Sequence, residues 1–184
     1  MAGMNASLSF PGFSSPAAGP EAPLQMLAAC HTRVDKQCHT LQRLQAHLPL
    51  HGSDVAAQEA AGAVLRYFES AARHHHEDEE QDLFPALHEA MAGSDAVCIR
   101  QLTDALRAEH RALEARWAQL RPVLQAVAEG DAAALPAQAV KAFVEGYRAH
   151  IAREDQELLP MAERLLGEEA LAQIGRAMRA RRGF

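Results

Sequence analysis

Four helix-spaced apolar stripes, each interrupted by one histidine, constrain the fold of this 184-residue chain most strongly. Apolar residues recur every three or four positions, which is the period of an amphipathic α-helix. In the second and fourth stripes a glutamate follows the histidine by four positions. A buried polar group without a partner costs roughly 2–7 kcal/mol. The interrupting residues are therefore expected to satisfy one another or to bind something; they are His31, His75, Glu79, His110, His150 and Glu154.

Turn and capping residues divide the chain into four long helices and a short fifth. Short connections make consecutive long helices antiparallel. The sequence therefore predicts an all-α fold, an up-down-up-down four-helix bundle with a short C-terminal fifth helix. Pro85 and Pro122 lie inside helical patterns and are each expected to kink a helix. The predicted helices cover about residues 24–48, 53–92, 94–128, 135–166 and 168–182.

The first 23 residues have a different composition, rich in Gly, Pro and Ser. They predict an irregular N-terminal arm, residues 1–23, ahead of a single helical domain, residues 24–184. No basic and apolar leader is evident, and no stretch approaches the ~18–20 apolar residues of a membrane helix. The formal charge of −6 argues against nucleic acid or an anionic membrane as the partner.

Cysteine usage predicts a reducing, cytoplasmic location. Cys30, Cys38 and Cys98 are odd in number and form no C-x-x-C pair. A disulfide framework and a cysteine-based metal or redox site are therefore not expected. The three thiols are predicted to be buried and reduced.

The four histidines are predicted to lie at one level of the bundle. In an antiparallel hairpin, residues equally far from the turn are at the same height. With turns near residues 52, 93 and 132, the heights differ by at most about four residues, roughly 6 Å of helix. Four imidazoles and two carboxylates would then converge in one layer.

A repeated motif sharpens that expectation. The stretches HHEDEEQDLFP (75–85) and HIAREDQELLP (150–160) share the pattern H-x₃-E-[ED]-Q-[DE]-L-x-P. Either an internal duplication or selection for one geometry used twice explains this, and both readings imply a pseudo-two-fold axis. Such an axis suits two metal ions, each bound by two histidines, with Glu79 and Glu154 bridging them.

Ligand type and charge narrow the choice of metal. Two divalent cations facing two carboxylates keep a charge of about +2, which a bridging oxo or hydroxo group could neutralise. Mixed imidazole and carboxylate ligands suit iron, manganese or zinc rather than magnesium or calcium. Paired carboxylates inside helical bundles favour iron or manganese.

The order H…H-x₃-E…H…H-x₃-E, with Leu-Phe-Pro after the first motif and Leu-Leu-Pro after the second, resembles the hemerythrin-like HHE cation-binding domain family. The resemblance covers about residues 24–182. It implies a non-haem di-iron centre, with His31, His75, His110 and His150 as terminal ligands and Glu79 and Glu154 as bridges. It also implies a small ligand such as O₂, NO or peroxide.

Two departures from the family's oxygen carriers bear on function. The carriers have a fifth histidine one turn along the third helix, where this chain has Leu106 and Glu114. That difference argues against bulk oxygen transport, and it leaves an open coordination position or allows Glu114 to act as an additional ligand. Asp155 resembles the carriers' final aspartate, but it points about 100° away from Glu154 on the helix, and the motif register favours Glu154.

The leading functional hypothesis is a di-iron protein for sensing, for iron or oxygen handling, or for oxidative or nitrosative stress defence, with a protein partner for signalling. A di-iron peroxidase or nitric oxide reductase that uses an external reductant is the enzymatic alternative. Metal storage or a structural zinc site is the third.

Neighbouring polar residues are assigned mostly to the surface. Asp35 and Glu114 are expected to be either partners of imidazole N–H groups or surface charges. Arginines in the last turn of the fifth helix would complement its dipole. The residues expected to face solvent around the first motif are His74, His76, Glu77, Asp78, Glu80 and Asp82.

Overall fold

A computed structural model of the chain describes residues 22–90 and 95–183. Within these ranges the secondary structure is helical and contains no strand, which confirms the all-α prediction. Two π-helical segments, π1 (Glu79–Leu83) and π2 (Glu154–Leu158), interrupt the helices. The α-helices are α1 (Pro23–His51), α2 (Val55–Glu69), α3 (Ala71–Asp78), α4 (Phe84–Glu89), α5 (Asp95–Glu129), α6 (Ala137–Arg153), α7 (Leu159–Leu165) and α8 (Glu168–Arg181).

Several helix ends follow the predicted turn chemistry. Asp54 caps α2, because its side chain accepts a hydrogen bond of 2.8 Å from the Ala57 N–H. Gly52 and Gly130 follow α1 and α5 with φ values of 66° and 86°, a region that favours glycine. Ser94, which the sequence predicts as the cap of the helix over residues 94–128, lies outside the described residues, as do all but the last two residues of the N-terminal arm.

The prediction of one continuous helix over residues 53–92 is wrong, because Ser70 separates α2 from α3. Its backbone angles, φ −125° and ψ −75°, are not helical. The Ser70 hydroxyl donates a hydrogen bond of 2.6 Å to the carbonyl of Arg66. A serine side chain that bonds the preceding turn competes with the regular backbone ladder, which explains the break.

The prolines of the repeated motif explain the two π segments. Pro85 and Pro160 each come two residues after a π segment and have no N–H to bond the carbonyl four residues earlier. A wider turn before each proline accommodates the lost hydrogen bond. The backbone N–H of Phe84 donates to the carbonyl of Glu79, and the backbone N–H of Leu159 donates to the carbonyl of Glu154. Each bond spans five residues, as in a π-helix.

Two apolar clusters fill the interior, and the polar layer lies between them. In α1, Leu27 belongs to one cluster and Val34 to the other, with His31 between them. In α5, Leu106 and Leu113 flank His110 in the same way. The histidines therefore share one level of the molecule, as their distances from the turns predict.

The main helices pack as a closed set around this interior. Helix α1 contacts α2 and α6, and α5 contacts the same two helices from the other side. The C-terminal helix α8 packs against α1, α3 and π1. The elements that carry the first copy of the repeated motif, α3 and π1, are thus held by the bundle on one side and by α8 on the other.

Candidate metal centre

The six residues predicted as ligands meet in the middle of the structure. All are buried, with exposed fractions between 0 and 3 %. Their ligand atoms form two groups, and within each group the atoms lie within 4.8 Å of one another. One group contains His31 and His75, the other contains His110 and His150, and both groups contain Glu79 and Glu154.

Each glutamate directs one oxygen toward each group. Glu154 Oε2 lies 3.1 Å from Nε2 of His31, and Glu154 Oε1 lies 3.0 Å from Nε2 of His150. Glu79 Oε1 lies 3.5 Å from Nε2 of His75, and Glu79 Oε2 lies 3.3 Å from Nε2 of His110. A carboxylate with its two oxygens facing different histidine pairs has the arrangement of a bridging ligand.

Three of the four imidazoles are oriented by a carboxylate on their outer nitrogen. Nδ1 of His31 bonds Asp155 at 2.7 Å, Nδ1 of His110 bonds Glu80 at 2.7 Å, and Nδ1 of His150 bonds Glu109 at 2.9 Å. Donation from Nδ1–H leaves the lone pair on Nε2, which faces the centre. Metal-binding histidines characteristically have such partners, which fix the tautomer and raise ligand basicity.

Arginines hold two of these outer carboxylates in turn. Arg111 Nη2 donates to Glu80 Oε1 at 2.6 Å, and Arg153 lies 2.6 Å from Glu109. Glu80 Oε1 thus accepts from both Arg111 and the His110 ring, whereas Glu109 contacts Arg153 through Oε1 and the His150 ring through Oε2. Surface arginines therefore help to orient the buried imidazoles through these two carboxylates.

The inward-facing atoms fit a bound cation. The inner nitrogens of His31, His110 and His150 and all four oxygens of Glu79 and Glu154 are buried without a hydrogen-bond partner. Leaving so many buried polar atoms unpaired is energetically unfavourable. Neutral imidazole and ionised carboxylate are the forms that bind a metal, so the same atoms form a suitable donor set.

The pKa values report the same concentration of negative charge. Burial lowers the pKa of His110, but Glu154, Glu79 and Glu80 outweigh it and raise that pKa to about 10. The pKa values of His31 and His75 are also raised, because nearby glutamates outweigh burial. Burial raises the pKa of Glu154, but the surrounding imidazoles lower it well below its ordinary value. The raised pKa values of His31, His75 and His110 mean that, without a cation, these three rings hold a second proton more readily than an ordinary histidine does.

Sequence analysis missed the partners of the imidazoles. Asp35 instead pairs with exposed His39 and Arg148, and Glu114 pairs with Arg111, so both are surface charges. The residues that serve as partners directly adjoin predicted ligands in the sequence: Glu80 follows Glu79, Asp155 follows Glu154 and Glu109 precedes His110. A carboxylate next to a predicted ligand in the sequence is therefore the signal that could have identified the imidazole partners.

Other surface assignments near the motif are also wrong. His76 is only 7 % exposed, and its ring stacks on that of His110 with 3.9 Å between centroids. Burial and the neighbouring imidazoles lower the pKa of His76 well below its ordinary value. Asp78 is fully buried and binds Arg181, the last residue of α8, and Arg182, which follows it. Of the cysteines, Cys98 is exposed rather than buried.

A helical bundle with two carboxylate-linked histidine pairs in its interior defines a cation-binding domain. Residues 22–162 match the family described as the hemerythrin HHE cation binding domain. The chain belongs to this family, and the predicted resemblance is confirmed. The chain is also 32 % identical over 160 residues to an uncharacterized protein of Haemophilus influenzae, an alignment that covers 87 % of this chain and 90 % of that protein.

Length and apolar character decide whether a helix can cross a bilayer. Among the described residues, none of the helices combines the length and the apolar character that a membrane crossing requires.

Proposed function

We propose that this protein is a non-haem di-iron protein whose centre binds a small ligand, O₂, NO or peroxide. One observation carries the proposal. Glu79 and Glu154 each direct one oxygen toward His31 or His75 and the other toward His110 or His150. Two cations placed in the two groups would share both carboxylates.

The donor set supports iron over the alternatives. Magnesium and calcium prefer oxygen ligands throughout, whereas four imidazoles and two carboxylates suit iron, manganese or zinc. Carboxylate-bridged pairs inside helical bundles are characteristically iron or manganese. When bound, the two ions would supply open coordination positions and a change of oxidation state.

The chain's own residues bind, orient and shield the pair. The four imidazoles and two glutamates are the terminal and bridging ligands of the proposal. Asp155, Glu80 and Glu109 hold the rings of His31, His110 and His150 in the orientation that directs Nε2 inward. Apolar clusters cover the layer above and below.

The proposal includes a biological role and an arrangement of the helices. Without the fifth histidine of the oxygen carriers, we infer a role in sensing, in iron or oxygen handling, or in oxidative or nitrosative stress defence, in the cytoplasm and with a protein partner or reductant. The up-down-up-down order of the four helices is part of the proposal. Along α1, along α2 to α4, along α5 and along α6 to α7, the order of the two apolar clusters reverses from one segment to the next, which supports it.

Metal analysis of the protein purified without oxygen tests the proposal. Mass spectrometry should find two iron ions per chain, and oxidation should produce near-ultraviolet charge-transfer bands and antiferromagnetic coupling. A colourless protein that binds zinc alone would contradict it and favour a structural site. Steady-state turnover with an external reductant, at rates well above free iron, would instead favour the enzymatic alternative.

A further inference from the structure

An open cleft between α2, α3 and α5 reaches the edge of the metal centre. Its volume is about 990 Å³. Its inner wall is apolar, and the surrounding surface carries ion pairs such as Arg121 with Glu69. The inner wall consists of Phe68, Ala72, Leu113, Trp117 and Tyr147.

His76 forms the contact between this cleft and the centre. It lines the cleft, whereas none of the six predicted ligands, all of which the structure describes, does so. Its ring lies against His110, and one of its ring nitrogens is within 4.8 Å of ligand atoms on His110 and His150. A molecule that moves inward along the cleft would therefore meet His76 before the second histidine pair.

The orientation of the His76 ring suits hydrogen bonding rather than coordination. The planes of His76 and His110 differ by only 13°. An imidazole binds an ion along its lone pair, in the plane of the ring, so two rings stacked face to face do not direct lone pairs at one point. Nε2 of His76 is nevertheless buried without a hydrogen-bond partner. A neutral imidazole has one N–H to donate, so this side chain holds an unused polar group beside the centre.

We propose that His76 donates a hydrogen bond to a small ligand of the metal centre and that the cleft is the route by which the ligand arrives. The inference rests on the proposed function and names a residue that selects its ligand. The ligand class is a molecule of two or three heavy atoms with a hydrogen-bond acceptor, small enough to pass the apolar wall beside Tyr147. His76 is thus a positioning residue for the ligand and not a metal ligand.

Azide binding to the iron-loaded, oxidised protein tests the role of His76. His76→Phe should retain both irons but bind azide about tenfold to a hundredfold more weakly, because a hydrogen bond to a charged group is lost. His76→Gln keeps an N–H donor and should recover much of the affinity. His74→Gln, on the same helix but outside the cleft lining, is the matched control and should bind azide as the wild type does.

The outcomes separate this inference from the proposed function. Equal azide affinity in wild type and His76→Phe, with two irons in each, would overturn the inference and leave the proposed function intact. Loss of one iron in His76→Phe would make His76 a ligand and would also overturn it. A wild-type protein that binds no iron would contradict the proposed function itself, and this inference with it.

A second pair of variants tests the cleft without altering His76. Ala118 lines the cleft and is exposed, whereas Ala115 is exposed on the same helix but does not line it. Ala118→Trp should slow azide association severalfold at unchanged iron content, and Ala115→Trp should not. Equal association rates in the two variants would overturn the proposed route.

Discussion

Asp155 Oδ1 accepts a hydrogen bond of 2.7 Å from Nδ1 of His31, 124 residues away in the sequence. This contact assigns Asp155 a role different from the one its position in the motif suggests. Its carboxylate is about half exposed and lies on the outer side of the ring, while Glu154 occupies the inner side. Adjacent residues of one helix thus face the two nitrogens of the same imidazole.

Loss of that outer carboxylate should weaken metal binding without removing a ligand. Asp155→Ala should lower iron affinity by about 10- to 100-fold, because the His31 ring is no longer oriented and its basicity falls. Competition with a coloured chelator measures the change. Glu157→Ala is a matched control in the same π segment, since Glu157 is exposed. Equal affinities for the two variants would contradict the role of Asp155.

The proposed bridging role of Glu154 predicts that its loss removes both ions. Glu154→Ala removes the oxygens that face His31 and His150, one from each pair, so neither ion keeps a complete ligand set. Mass spectrometry should find less than about one iron per chain in total, against two in wild type. Glu145→Ala, a change of an exposed glutamate on α6, is the control. Retention of one full equivalent by Glu154→Ala would show that the carboxylate serves a single ion.

Proton release on metal binding follows from the raised pKa values of His31, His75 and His110. A raised pKa means that these rings keep a proton in the metal-free protein above pH ~6.5, where an ordinary histidine loses it. Mn²⁺ must displace those protons, so its apparent affinity should rise between about pH 6.5 and 8.5 and fall on acidification. Calorimetry in buffers of different ionisation enthalpy measures the release. Binding without net proton release at about pH 7.5 would contradict the pKa directions.

The ion pairs of Asp78 with Arg181 and Arg182 should contribute to the stability of the fold. Asp78 is fully buried, and Arg181 and Arg182 supply its counter-charges. The double change Arg181→Ala and Arg182→Ala should lower the free energy of unfolding by about 3 kcal/mol, because a buried carboxylate is left unpaired. Denaturant unfolding of the metal-free protein measures it.

The control for this prediction lies on the same helix. Arg176 is exposed, and Arg176→Ala should change stability by no more than about 0.5 kcal/mol. A double variant as stable as Arg176→Ala would show that the ion pairs of Asp78 contribute nothing to stability.

The polar layer of histidines and glutamates could be predicted from the sequence because it depends on helical periodicity. An interior position is fixed by spacing along its own helix, so His31 and His110 could be assigned to the core from the apolar residues around them. Distance from the turns then gave their common height, and the contact of both pairs with Glu79 and Glu154 followed. These features use information within one helix or one hairpin.

The remaining features depend on contacts between helices or on details of the backbone ladder. His76 is buried because α5 presents His110 to its ring, and Asp78 is buried because α8 returns across π1. Periodicity within α3 carries no information on either neighbour. The π segments arise where a proline removes one backbone donor, and side-chain spacing alone does not distinguish that response from a simple kink.

Anomalous diffraction from crystals of the iron-loaded protein, recorded at the iron edge, tests the central claim most directly. Two peaks should appear in the polar layer, one beside His31 and His75 and the other beside His110 and His150, with Glu79 and Glu154 contacting both. A single peak, or iron bound elsewhere on the molecule while these six side chains remain free, would contradict the account.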